Sequence, residues 1–161
     1  MPEKGWVSPD VRSHPVLLDK SILIHAPAGR IYEMLQPARQ PLWDLSLVRV
    51  APRDDAALHE GSLFDRVARA LGHRFESAAE AISLQKDRMF AWRQVEGDYE
   101  EHRGAYVLEP RADGTLVHLL ADVELPFVLP RIATEAEVQS GISRDADDSL
   151  FNLKALCEAR R

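Results

Sequence analysis

The stretch YVLEPRADGTLVHLL, residues 106 to 120, decides the fold. Asp113-Gly114 separates two alternating runs, and glycine supplies the positive φ that tight hairpin turns require. The segment therefore reads as a β-hairpin. Its second arm, extended to residue 123, places Thr115, Val117, Leu119, Ala121 and Val123 on one face, against Leu116, His118, Leu120 and Asp122 on the other. The first arm sets Tyr106 and Leu108 on one face. A sheet built from such arms has one strongly apolar side, which needs a cover.

The neighbouring sequence continues the pattern. Strands are expected over 62–71, 74–85, 88–95, 99–109 and 115–125, separated by Gly72-His73, Lys86-Asp87, Gly97-Asp98 and Asp113-Gly114. Links this short join antiparallel neighbours, because a parallel crossover needs a dozen or more residues. Upstream, 16–25 (VLLDKSILIH) reads as a first strand. Pro27 then suits a first helical turn, with Ile31, Met34 and Leu35 following at helical spacing. A second short helix or turn over 38–43, a strand from 47 to 50 and a polar loop over 52–61 complete this half.

Downstream, Thr134 and Glu137 form a capping box. Val138, Ile142, Ala146, Leu150, Leu153 and Cys157 then recur every three or four residues as an apolar stripe, while Asp145, Asp147, Asp148, Lys154 and Glu158 lie mainly off it. Gly141 costs about 1 kcal/mol relative to Ala, so a kink or break is expected there. The helix supplies the cover that the hairpin face requires.

Composition narrows the function. The chain has 161 residues, 45% hydrophobic and 29% charged, with net charge −6 from 26 acidic and 20 basic side chains. This composition suits one ordinary domain and argues against a phosphate-backbone partner, which needs a clustered positive stripe. No apolar run reaches the roughly 20 residues of a membrane helix, and a cytoplasmic location is expected. One cysteine, Cys157, allows no intrachain disulfide or cysteine metal cage. The six histidines have no zinc-ligand spacing. No metal or other cofactor is expected.

In order along the chain, several phrases resemble the SRPBCC superfamily (START-like, helix-grip fold), in particular its polyketide cyclase/dehydrase branch. They are Ile24-His25-Ala26-Pro27, Pro41-Leu42-Trp43, Arg88-Met89-Phe90-Ala91-Trp92-Arg93, the run from Gly104 to Pro110, the run from Asp113 to Val117, and Leu153-Lys154-Ala155-Leu156. The resemblance implies an α+β domain over 16–161, with a curved antiparallel sheet wrapped around the C-terminal helix and residues 1–15 as a flexible lead-in. It also implies a cavity between sheet and helix for a hydrophobic or amphipathic small molecule such as a lipid, a quinone or a polyketide-like compound.

In that geometry Trp43, Phe90, Trp92, Tyr106, Leu108, Val117, Leu119, Ile142 and Leu150 would line the cavity, although the same side chains serve equally as plain core filling. Trp92 and Tyr106 each carry one polar atom that needs a partner if buried. The candidates for acid–base chemistry are His102, Glu76 and Tyr106, with an ordinary rim histidine and a solvated Glu76 as the plainer alternatives. Parity over 74–85 stays open: Phe75, Ser77, Ala79 and Ala81 compete with Ile82 and Leu84 for the inner face, and a β-bulge near Ala81 would reconcile them. Leu116 and Leu120 on the outer face await cover by the lead-in, through Trp6 and Val7, or by a second subunit in a homodimer. Three functions follow: a ligand carrier, a cyclase or dehydratase, or an interaction module with a filled interior.

Overall fold

The computed structural model describes residues 15–125 and 134–159. The lead-in, with Trp6 and Val7, falls outside them. Seven strands form one antiparallel sheet: β1 (Pro15–Ile24), β2 (Leu47–Pro52), β3 (Leu63–Ala70), β4 (His73–Gln85), β5 (Met89–Gly97), β6 (Glu101–Arg111) and β7 (Gly114–Glu124). Helix α1 (Ala28–Met34) and a 3-10 helix (Pro37–Leu42) follow β1, and helix α2 (Glu135–Glu158) closes the described chain. Spatial order is β1-β7-β6-β5-β4-β3-β2, so β2 to β7 form a meander and β1 returns beside β7.

The opening hairpin is β6–β7, paired from Glu101↔Glu124 to Arg111↔Gly114. Gly114 has φ +155, and any side chain there would collide with the Ile24 carbonyl of β1. Thr115, Val117, Leu119 and Val123 are buried on the concave face, while Leu120 on the convex face is 45% exposed. Alternation alone thus sets which side of β7 meets the core.

The capping box forms: Glu137 N donates to Thr134 Oγ1 at 3.1 Å and Thr134 N to Glu137 Oε1 at 2.8 Å. The helix runs unbroken through Gly141, contrary to the expected kink or break. Glycine sits there for packing, because a Cβ would lie 2.7 Å from Leu71 Cδ2 in the β3–β4 turn. Val138, Leu150, Leu153 and Cys157 are buried against the sheet. Each fully buried side chain of the size of Leu150 or Leu153 contributes about 1.5–3 kcal/mol. Lys154 Nζ reaches the Leu23 carbonyl of edge strand β1 at 2.8 Å, and Lys20 of β1 reaches Asp147 at 3.0 Å, so α2 is clasped along that edge.

Strand β4 resolves the parity question. Phe75, Ser77, Ala79 and Ala81 face inward, whereas Ile82 is 43% exposed. The register shifts between Ala81 and Ser83, at the expected bulge, and again between Ala78 and Ala79. Glu76 points outward and pairs with Arg74 at 3.1 Å. It is not a cavity group, since a surface carboxylate and its arginine partner both keep their hydration on this face.

Candidate functional site

A partly enclosed cavity of about 90 Å³ lies between the concave face, the middle of α2 and the segment 40–46. Leu119, Ala121 and Val123 of β7, Leu18 of β1 and Ile142 and Leu150 of α2 give it apolar walls. Its aromatic floor is continuous. Trp92 and Tyr106 stack at 5.4 Å between ring centroids, and Trp43 meets Tyr106 edge-on at 5.7 Å. The Trp92 indole lies across Gly104, its pairing partner on β6, where a Cβ would come within 2.7 Å of the ring. Glycine at 104 is what lets that ring lie flat.

The two indoles differ in one respect. Trp43 Nε1 donates to the Met34 carbonyl at 2.7 Å and is satisfied. Trp92 Nε1 is buried and has no acceptor among the described residues; neither has Arg66 Nε. Arg66 is 6% exposed, and no carboxylate lies within ion-pair distance of it among the described residues. Its guanidinium sits 5.9 Å from the Trp92 ring centroid and hydrogen-bonds His102 Nδ1 at 2.9 Å.

A guanidinium only donates, so Nδ1 of His102 is the acceptor. Burial, reinforced by the Arg66 charge, holds the His102 pKa well below its ordinary value. The ring is therefore neutral with its proton on Nε2, which makes it a hydrogen-bond donor to the cavity. Burial also raises the pKa of Tyr106 far above the usual phenol range and that of Tyr99 more modestly. At the α2 side, burial raises the Asp145 carboxyl. Asp44 is held inward by Ser46 N at 3.0 Å, Ser46 Oγ at 2.7 Å and Ser149 Oγ at 3.3 Å.

No protein-family model matches the sequence, and no curated protein sequence matches it. Solved structures do. A START superfamily protein from Mycobacterium smegmatis superposes with TM-score 0.74 at 15% identity, over 88% of this chain and 97% of that one. A protein from Thermus thermophilus gives TM-score 0.72 at 19% identity, over 88% and 95%. The Zhui aromatase/cyclase from Streptomyces sp. R1128 gives TM-score 0.71 at 13% identity, over 90% and 94%. The chain has the START-like helix-grip fold. Likeness at such low identity carries the fold and no activity.

Within this START-like fold, Trp43, Trp92, Tyr106, Leu119, Ile142 and Leu150 line the cavity. Phe90, Leu108 and Val117 do not: they are buried in the packed core, with Phe90 at 6.3 Å from Phe64. For Leu108 and Val117 strand pairing explains this, because they pair near the turn end of the hairpin, away from the cavity-lining pair Tyr106 and Leu119. His102 and Tyr106 come together in the cavity, while Glu76 stays outside.

Arg66 escaped the sequence reading, as did Tyr99, Asp44 and Ser149. Arg66 does carry a signal. It shares period-two parity with Phe64, Ala68 and Ala70, a lone cation on an apolar face. Asp145 lies off the helix stripe by spacing, yet it lines the cavity edge. Cys157 does not line it, and burial pushes its thiol up to about 11. Among the described residues no cluster of metal-ligating side chains occurs, and no helix is long and apolar enough to cross a membrane.

Proposed function

We propose that this chain binds a small amphipathic molecule, its apolar part against Leu119, Val123, Ile142 and Leu150 and an acceptor oxygen on the donors of Arg66 and Trp92. The observation that carries the reading is the pair of buried N–H groups without acceptors among the described residues, Arg66 Nε and Trp92 Nε1, on residues that line a cavity. An unmet buried donor costs about 1–3 kcal/mol, and a buried unpaired charge costs more. A ligand oxygen recovers that cost, and an anionic oxygen recovers the most because the guanidinium is charged. The volume is below the roughly 300–1,000 Å³ of pockets for drug-sized molecules, so the cavity takes a polar head or a single ring while the remainder lies at the opening.

A second reading, a cyclase-type enzyme, draws on the same donors and on the aromatase/cyclase neighbour. Arg66 and Trp92 would hold a ketone or enolate oxygen, and Asp145, whose carboxyl burial makes harder to ionise, would exchange the proton. His102 is ill suited as the base, because its Nδ1 lone pair is committed to Arg66.

Calorimetric titration with 2-naphthoate and with methyl 2-naphthoate tests the binding reading. The carboxylate is expected to bind roughly tenfold or more tightly than the ester, and Arg66→Met to remove that difference. Equal affinities in the unaltered protein contradict the reading. Turnover of a poly-ketone mimic that disappears in Asp145→Asn would move the assignment to the enzyme.

A further inference from the structure

In the segment 39–49, Trp43 and Leu47 are buried and Gln40, Asp44 and Ser46 turn inward, while Leu42, Leu45 and Val48 are 68%, 62% and 49% exposed. They recur every third residue, and exposed Arg39 and Arg49 bracket them. Neither arginine has an ion-pair partner among the described residues, in a chain whose net charge is −6. The one acid of the segment, Asp44, is turned to Ser46 and Ser149. The patch continues over Leu156, 42% exposed, across a groove lined by Arg39, Arg30 and Leu42, with Glu33 as its acid.

We propose that this segment docks onto an anionic lipid surface and so holds the cavity it helps to line against that surface. Leucines and a valine flanked by arginines match the boundary between acyl chains and anionic headgroups. A protein partner is the poorer fit, because three apolar side chains and two arginines fall far short of the roughly 20–30 residues per side of a stable interface. Trp43, Asp44 and Ser46 of the same segment line the cavity, so docking sets that wall of the cavity beside the membrane. An amphipathic molecule then moves between bilayer and protein without crossing water. The inference goes beyond the ligand reading and stands on the surface itself.

Co-sedimentation with vesicles of phosphatidylglycerol and phosphatidylcholine, and with vesicles of phosphatidylcholine alone, tests it. The chain is expected to partition onto the anionic vesicles and only weakly onto the neutral ones. Replacing both Arg39→Gln and Arg49→Gln should lower partitioning roughly thirtyfold. Replacing both Leu42→Ser and Leu45→Ser should lower it roughly tenfold or more. These positions are exposed, so both variants should keep the melting temperature of the parent chain. Both should also bind soluble 2-naphthoate as the parent chain does, which separates failure of docking from failure of the cavity. Indifference of the parent chain to anionic vesicles overturns the proposal. So does unchanged partitioning of the variants, or a dimer that these substitutions dissociate, which would make a second copy the occupant.

Discussion

Two histidines on the same hairpin face opposite sides of the sheet. His118, on the convex face, places Nδ1 2.9 Å from Ser21 Oγ and Nε2 3.0 Å from Glu109 Oε1. This serine–histidine–glutamate chain has the spacing of a nucleophilic triad, yet its members satisfy one another beside solvent. His102, on the concave face, is buried between the Tyr99 ring at 4.6 Å and the Trp92 ring edge-on at 6.0 Å, with Arg66 on Nδ1 and the cavity beside it. There two buried N–H groups, Arg66 Nε and Trp92 Nε1, have no acceptor among the described residues. A complete set of hydrogen bonds thus marks a resolved surface, whereas an unbalanced buried set marks a place for a ligand.

Four changes break or sharpen that contrast. Phe90→Ala, on the concave side but outside the cavity, should lower unfolding free energy in urea by about 3–5 kcal/mol. Much smaller loss would mean that the core is looser than its burial implies. Gly104→Ala should cost about 1–3 kcal/mol by driving a methyl group into the Trp92 ring, and should weaken naphthoate binding as the indole tilts.

The next effect is a pH dependence. In the unfolded chain His102 takes up its proton near pH 6.5, and in the folded chain well below that. Between those limits the unfolded state holds the extra proton, so acid favours unfolding through this group. Its contribution to stability is unaffected above about pH 6.5 and declines below it by up to about 1.4 kcal/mol per pH unit. His102→Gln should flatten that part of the stability curve, measured by urea denaturation at a series of pH values. The smallest effect belongs to the convex face, where His118→Ala should change stability by less than about 0.5 kcal/mol.

Much of this is legible in the residues. Alternation over 115–123 and the turn at Asp113-Gly114 define the hairpin, and Thr134 with Glu137 marks the helix start, because these are local effects. The cavity is legible only through its large side chains. Trp92, Tyr106 and Leu119 fall in it, but Phe90, Leu108 and Val117 share their alternation and differ only in position along the strands. Alternation tells inside from outside, and says nothing of how far an inward residue lies from the open end. Arg66 is visible as a cation with apolar parity, whereas Asp44 and Ser149 meet only through tertiary packing over a long sequence separation. Outer Leu120 is exposed on the convex face, and alternation alone does not tell a solvated leucine from a covered one.

The most direct test follows individual N–H groups by nitrogen–proton correlation spectroscopy during titration with 2-naphthoate. The Trp92 Nε1–H and Arg66 Nε–H signals are expected to shift downfield together as they gain an acceptor, while Trp43 Nε1–H, already bonded to Met34, stays in place. Saturation of the protein with neither Trp92 nor Arg66 moving would contradict a ligand held by these two donors.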